Sequence, residues 1–325
     1  MKVFLLAAGR GLRLRPVTDR IPKPLLPYLN VPLARAHLQR LWKAGVTEAG
    51  VNLHHLGIEI EQHLSQGAAD LPKLTFFPEP EILGTAGALK NAASFLEDGD
   101  FFVVVSDAAI EPDFASLAAA HRETGHAATL LVVENREPRR YTPLQAEGDR
   151  ITAFGLDTPR PLLYTGVCVL APRLLDRIPK GHTALVADLW KPLLSEGRER
   201  IGFVLHEGPF SDLGCPNDFL RASLEALERG GPFPKGAGAF DEAARVLSLE
   251  PTGGFEARQS VLGRILAGSG ARIERSAVFT GTSIGPRARV SGCLVAGGRV
   301  APDAAHENVL LWPDTEGLAA PHPLT

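Results

Sequence analysis

The stretch Val3-Phe4-Leu5-Leu6-Ala7-Ala8-Gly9-Arg10-Gly11-Leu12-Arg13-Leu14-Arg15-Pro16-Val17-Thr18, closing in Ile21-Pro22-Lys23-Pro24-Leu25, decides how the rest of the chain is read. Val3 to Ala8 is a short, unbroken apolar run, the length of one buried strand. The glycines after it make a tight turn in which backbone N–H groups can approach phosphate oxygens, because no Cβ intervenes. Neither common phosphate fingerprint is present: Leu14 stands where G-x-G-x-x-G needs its third glycine, and no G-K-[ST] follows. The cations set the segment apart. Arg10, Arg13, Arg15 and Lys23 crowd into one loop directly after the strand, where forked guanidinium groups and a point-charge ammonium suit a polyphosphate.

Working outward, further short apolar runs lie at Gly50 to Leu53, Leu74 to Phe77, Phe101 to Val105, Thr129 to Val133, Gly166 to Leu170 and Ile201 to Leu205. Helical spacing separates them: Leu33, Ala36, Leu38 and Leu41 within Pro32 to Ala44, and Phe114, Leu117, Ala118 and His121 within Asp113 to Thr124. Apolar strands alternating with helices predict an α/β fold, a Rossmann-like, mainly parallel sheet with helices on both faces. Such sheets bind ligands beyond the carboxyl ends of their strands.

A helix over Asp218 to Arg229 closes this part, and Gly230-Gly231-Pro232 with Pro234, Gly236 and Gly238 reads as a linker. Composition then changes. Ile265, Ile273, Val278, Ile284, Val290, Val295 and Val300 recur at steps of eight, five, six, six, five and five residues, with small residues between them. That near-hexapeptide period predicts a C-terminal parallel β-helix, read as left-handed. The expected boundaries are 1–230 for a catalytic domain, 231–255 for a linker, 256–312 for the β-helix and 313–325 for a loose or capping tail. Deleting residues 256 to 325 is expected to disturb assembly more than chemistry.

The 325 residues are 45% hydrophobic and 22% charged, which excludes disordered and fibrous classes and allows one large core with a smaller second one. Thirty-four Lys and Arg against 37 Asp and Glu give a net charge of -3, so there is no general basic field for a nucleic acid or an anionic membrane. A small-molecule partner is the expectation. Cys168, Cys215 and Cys293 form no C-x-x-C, which argues against a disulfide framework or zinc ribbon and fits a reducing cytoplasm. The basic residues follow the first apolar run instead of preceding it, the reverse of an export signal, and no stretch approaches the roughly 18 apolar residues of a membrane span. The expectation is a cytoplasmic protein.

The first stretch, with Pro22-Lys23-Pro24, resembles the signature of the sugar-1-phosphate nucleotidyltransferases, the nucleoside-diphosphate-sugar pyrophosphorylases. More of the family's motifs follow in order: Leu83-Gly84-Thr85-Ala86-Gly87-Ala88-Leu89, Val105-Ser106-Asp107, Tyr164-Thr165-Gly166 and Phe210-Ser211-Asp212-Leu213-Gly214-Cys215-Pro216. The resemblance spans about residues 1 to 228, and the β-helix tail is similar to that of many members. It implies attack of a sugar 1-phosphate oxygen on the α-phosphorus of a nucleoside triphosphate, giving a nucleotide-sugar and pyrophosphate. Such a displacement asks for positioning and charge neutralisation, not covalent catalysis.

By resemblance, Asp107 and Asp212 are the metal pair for Mg²⁺, a hard cation that prefers carboxylate, phosphate and water oxygens. Arg13 is implied to hold the departing pyrophosphate and Lys23 to bridge the phosphates. Ala7, Ala8, Gly9 and Gly11 are implied on the phosphate side of the nucleotide, and Gly84, Thr85 and Ala86 on the base side, in a loop whose glycines let the chain lie under a purine. Glu79 or Glu81 would accept from a guanine edge, Glu81 being the choice made for the site. L-G-T-A-G resembles the guanylyltransferase form of this loop, mannose-1-phosphate guanylyltransferases in particular, and so favours GTP and mannose 1-phosphate. Tyr141, Thr165 and Gly166 are implied on the sugar side.

The departures bear on the sugar and on activity. Ser106 replaces the usual Gly before the metal Asp, Tyr141-Thr142 replaces Tyr-Gly, Phe210 replaces Trp and Cys215 replaces Thr. Gly155-Leu156-Asp157-Thr158 stands where a Glu-Lys-Pro often follows Phe154, leaving a sugar-phosphate cation to Arg139, Arg140 or Arg160. Asn52-Leu53-His54-His55-Leu56 is read as packing plus a loop contact, because neighbouring side chains on a strand point apart. Similar N-x-H stretches occur in relatives acting on N-acetylmuramate 1-phosphate with UTP. Two alternatives stay open: a uridylyltransferase for an amino-sugar 1-phosphate, and a catalytically weak regulatory paralogue that binds nucleotide-sugar. A homo-oligomer formed through the β-helix is the expected assembly.

Overall fold

A computed structural model describes residues 1–155, 161–250 and 254–325. Leu156, Asp157, Thr158 and Arg160, singled out above, lie outside the described residues. The chain divides into two compact units, Met1–Arg10 with His37–Phe210, and Gly11–Ala36 with Ser211–Thr325.

The first unit is built on a nine-stranded sheet in the order Lys73–Pro78, Glu48–Leu53, Lys2–Leu6, Phe101–Val105, Leu162–Leu170, Ala128–Glu134, Ile201–Leu205, Arg150–Phe154, Leu144–Glu147. The first four strands run parallel to one another, as do Ala128–Glu134 and Ile201–Leu205. Leu162–Leu170 is antiparallel to both of its neighbours, and so is Arg150–Phe154. The sheet is therefore mixed, not mainly parallel. Val167, Cys168, Val169 and Leu170 are fully buried. Their apolar run reports cover on both faces, which an antiparallel strand in the middle of a covered sheet needs as much as a parallel one.

Helix ends follow local chemistry. Phe114–Thr124 begins with the Asp113 carboxylate accepting from the Ser116 N–H at 3.0 Å and ends at Gly125 in the left-handed region, φ 60°. Gly84–Asn91, expected as a loop, is a helix whose Ala86, Ala88 and Leu89 join the main core.

In the second unit, Gly11 to Leu26 makes three single turns, Leu12–Leu14, Val17–Asp19 and Lys23–Leu25. A tight hairpin follows, Pro27–Tyr28 against Val31–Pro32, turned by Leu29 and Asn30 at φ 50° and 65°. Helix Pro216–Arg229 packs Phe219 on Tyr28 and on Phe279, with ring centroids 6.0 and 5.6 Å apart.

The remainder of this unit winds through three sheets in rotation. Glu256–Arg258, Ser260–Leu262 and Leu266–Ala267 each lie on one side, and the next passes pair in parallel with them. Ala257 faces Ile273, which faces Val290, separations of 16 and 17 residues. Three sides of five or six residues make one such turn, so the uneven hexapeptide steps are the fingerprint of a coil slightly shorter than eighteen residues. Ile273, Val278, Ile284, Val290, Val295 and Val300 fill its interior at 2% exposure or less. Ala239–Asp241 and Val246–Ser248 already belong to the largest of these sheets, although they fall in the expected linker. At the other end, Ala319–His322 pairs antiparallel with Leu310–Pro313, so of the two expectations for the tail, loose or capping, it takes the second and closes the sheet.

Candidate active site

In the first unit the chain leaves strand Lys2–Leu6 at Ala7 and Ala8, both buried, and reaches Gly9, where an added Cβ would meet nothing within 4 Å. Arg10, next to it, is exposed. The Ala7 N–H donates to Asn52 Oδ1 at 2.7 Å, the Asn52 amide donates to Glu79 Oε1 at 2.8 Å, and the Leu83 N–H donates to Glu79 Oε2 at 2.9 Å. Glu79 is buried with both oxygens engaged, whereas Glu81 is exposed. Glu81 thus presents an exposed carboxylate, and Glu79 links the Asn52 amide to the Leu83 backbone.

The glycines of Leu83–Gly87 lie hard against another stretch of backbone. A Cβ on Gly84 would strike the Thr183 carbonyl oxygen, and one on Gly87 the Gly181 carbonyl oxygen. The Thr183 carbonyl accepts from Ala86 N–H at 2.9 Å and from Gly87 N–H at 3.3 Å, and the Thr85 hydroxyl accepts from the Leu185 N–H at 2.8 Å. Two N–H groups of the first helical turn are thus satisfied by protein, and the missing side chains admit a neighbouring stretch of backbone.

Asp107 follows strand Phe101–Val105 with Ser106 between them. Ser106 is buried and donates its hydroxyl to the Leu6 carbonyl at 2.7 Å, a local bond that ties the two strand ends together. After Asp107, the Ala108 carbonyl accepts from His37 Nε2–H at 2.9 Å. Burial above all, and then the Arg40 charge, hold the His37 pKa down at about 4 against the pull of Ala108 and Asp107, so the ring is neutral and its proton sits on Nε2.

On the expected sugar side, Thr165 and Gly166 occupy an irregularity between Tyr164 and Cys168 where the strand's pairing shifts register. The Thr165 hydroxyl donates to the Leu131 carbonyl at 2.8 Å and accepts from the Val167 N–H at 3.3 Å, so it is spent on the backbone. Tyr141 is half-buried with the Arg140 guanidinium 5.0 Å from its ring centre, while Arg139 is exposed. Tyr164 donates to Cys168 Sγ at 3.0 Å, and burial raises the pKa of both, that of Cys168 to about 12. Cys168 and Cys293 are buried, as expected for small hydrophobes, and Cys215 donates to Asp218 at 3.0 Å.

In the second unit, Gly11 sits at φ 62° and its carbonyl accepts from the Thr18 hydroxyl at 2.8 Å and from the Leu14 N–H at 2.9 Å. Arg13 extends an exposed guanidinium to 3.5 Å from Asp212 Oδ2. A Cβ on Gly214 would strike that guanidinium. Arg15 pairs instead with Asp19 at 2.9 Å on the surface, and Lys23 is buried. Of the expected catalytic set, Arg13 and Asp212 stand together in this unit with Lys23, and Asp107 belongs to the first unit.

Among the described residues no group of three or more His, Cys, Asp and Glu side chains is arranged to hold a metal ion. His54 Nδ1 instead meets the Glu79 carbonyl at 2.8 Å, in line with the loop contact expected of it. No helix among the described residues is long and apolar enough to cross a membrane.

Comparison with known proteins identifies the family. The nucleotidyl transferase family model matches residues 2–229. The mannose-1-phosphate guanyltransferase of Debaryomyces hansenii is 32% identical over 244 residues, covering 71% of this chain and 67% of that one. The mannose-1-phosphate guanylyltransferase of Mycobacterium tuberculosis is 28% identical over 302 residues, covering 90% and 82%. The crystal structure of HddC from Yersinia pseudotuberculosis complexed with GMP-PN has a similar fold, with a TM-score of 0.59 at 23% identity over 69% of this chain and 98% of that one. The glycine- and arginine-rich loop, the two aspartates behind their strands and a match across residues 2–229 agree: the chain belongs to the nucleotidyl transferase family, among its sugar-1-phosphate nucleotidyltransferases.

Proposed function

We propose that this enzyme transfers GMP from GTP to mannose 1-phosphate, releasing pyrophosphate. The observation that carries the reading is the similarity to mannose-1-phosphate guanylyltransferases over 71% and 90% of the chain, with Arg13 poised beside Asp212 in the matched region. A sugar-phosphate oxygen attacks the α-phosphorus, the bond from that phosphorus to the bridging oxygen breaks, and pyrophosphate leaves with the electron pair. Backbone of Ala7, Ala8, Gly9 and Gly11 lines the phosphates. Arg13 and Lys23 take up the charge that accumulates on pyrophosphate. Glu81 accepts from the guanine N1–H and amino group, with Gly84, Thr85 and Ala86 forming the adjoining wall. Tyr141, Thr165 and Gly166 face the sugar, Thr165 through its backbone because its hydroxyl is engaged.

Asp107 and Asp212 supply hard oxygen donors of the kind Mg²⁺ takes, and the ion, when bound, neutralises phosphate charge. The same proposal extends to the rest of the chain: residues 1–230 as the transferase part, a left-handed sense for the parallel coil, a cytoplasmic location, and a homo-oligomer formed through the coil.

Pyrophosphate release, measured with Mg²⁺ for GTP, UTP, dTTP, ATP and CTP against a panel of sugar 1-phosphates, tests the reading. Highest turnover with GTP and mannose 1-phosphate is expected. A UTP and amino-sugar pair would replace it with the uridylyl reading, and binding of nucleotide-sugar without turnover would replace it with the regulatory one.

A further inference from the structure

We propose that Asn52 and Glu79 are positioning residues that fix the spacing between the phosphate side and the base side of the nucleotide site; this rests on the nucleotidyl-transfer reading above. All the groups concerned lie in the first unit. Strand Glu48–Leu53 runs between Lys2–Leu6 and Lys73–Pro78, so Asn52 near its end stands between the two segments that the nucleotide would touch.

The donors and acceptors admit one arrangement. Ala7 N–H only donates, so the Asn52 oxygen must face it, which turns the Asn52 NH₂ toward Glu79. Glu79 accepts there with Oε1 and from the Leu83 N–H with Oε2. Its backbone is held as well, the N–H donating to Leu53 O at 2.7 Å and the carbonyl meeting His54 Nδ1 at 2.8 Å. Asn52 and Glu79 are 4% and 3% exposed, so a broken link leaves buried polar groups unpaired. The Asn-x-His stretch thus clamps Glu79 from two sides, and two side chains in series, the Asn52 amide and the Glu79 carboxylate, join the turn at Ala7 to Leu83, the residue that precedes Gly84.

A nucleoside triphosphate must fit both ends of this relay at once, whereas a sugar 1-phosphate needs neither end. The relay also has a complement that can be built. Asn52→Asp alone sets two carboxylates against each other, and Glu79→Gln alone sets two NH₂ groups against each other. Together they restore every bond, with donor and acceptor exchanged only between residues 52 and 79: Ala7 N–H to Asp, Gln NH₂ to Asp, and Leu83 N–H to Gln oxygen.

The test is steady-state kinetics of the full chain with N52D, E79Q and the double variant, with GTP affinity measured in parallel by calorimetry in the presence of Mg²⁺. Each single variant is expected to raise the KM and Kd for GTP at least tenfold, leaving the KM for sugar 1-phosphate within twofold. The double variant is expected to return within threefold of wild type. Single variants with wild-type GTP affinity, equal changes in both KM values, or a double variant no better than the singles would each overturn the relay. A wild type that binds GTP without turnover would overturn the nucleotidyl-transfer reading alone, and the Kd values would still decide the relay. A wild type that binds no nucleotide would overturn both.

Discussion

Arg13 reaches Asp212 across a residue with no side chain: the guanidinium lies 3.5 Å from the carboxylate, over the Cα of Gly214. Gly214→Ala places a methyl group where the guanidinium now rests. The atoms that must give way are the far end of a flexible, exposed side chain, so the fold should tolerate the change within about 1 kcal/mol. Activity should not, because Arg13 loses its position. We expect a tenfold or larger fall in kcat/KM at unchanged thermal midpoint, measured by pyrophosphate release and differential scanning calorimetry.

Asp107 and Asp212 each end or follow a strand and neither is needed to fill a core. Asp107→Asn and Asp212→Asn keep shape while removing a negative hard donor. Turnover should fall on the order of 10²–10³-fold or more in each, as for loss of a principal electrostatic contact in other active sites. Near wild-type rates in both would exclude them as the metal pair.

Asn30 donates to the Ala237 and Leu262 carbonyls, both at 3.0 Å, and Arg20 lies 5.8 Å from the Trp312 ring centre. The loop that carries Arg13 and Lys23 is therefore fastened to the C-terminal coil, and we expect the coil to act on nucleotide binding as well as on assembly. Asn30→Gly keeps the left-handed turn conformation but removes both bonds, at a cost of about 1–3 kcal/mol. Combined with Trp312→Ala it should raise the KM for nucleotide several-fold while sedimentation stays unchanged. A shift in sedimentation without a kinetic effect would favour the original expectation.

His37 gives a pH signature. Its pKa is about 4 in the folded protein against 6.5 in an unfolded chain. The unfolded state binds the proton first, so stability is full above pH 6.5 and is lost as pH falls through the window to 4. The contribution is on the order of 3 kcal/mol. Urea unfolding of wild type and His37→Gln at several pH values should show a shallower acid slope in the variant, in which the side-chain amide can still donate to Ala108. Parallel slopes would place the acid sensitivity elsewhere.

Much of this was legible because apolar runs report burial. Phe101–Val105 and Ile201–Leu205 have the bounds their sequences predict. Strand direction was not legible: Leu162–Leu170 is as apolar as the two strands it lies between, to both of which it runs antiparallel, and nothing local distinguishes it. The purpose of Gly84 and Gly87 was hidden for a related reason, since a glycine announces close approach without saying to what, and Thr183 is about a hundred residues away in sequence. Glu79 and Glu81 look alike in the chain, and only burial separates the one that shapes the loop from the one left open. The Asn52 bond to Glu79 could have been anticipated from the Asn-x-His stretch, had a polar residue at the end of an apolar strand been read as needing a partner.

The packing of Gly11–Ala36 with the C-terminal coil also constrains how such proteins can be recombined. A crossover at residue 230, where the glycines and prolines suggest a seam, would exchange the coil between relatives and leave behind the arginine-bearing segment that packs with it. A chimera that keeps native contacts requires two further junctions, near Gly11 and Ala36, so that the two stretches are inherited as one piece despite the distance between them along the chain.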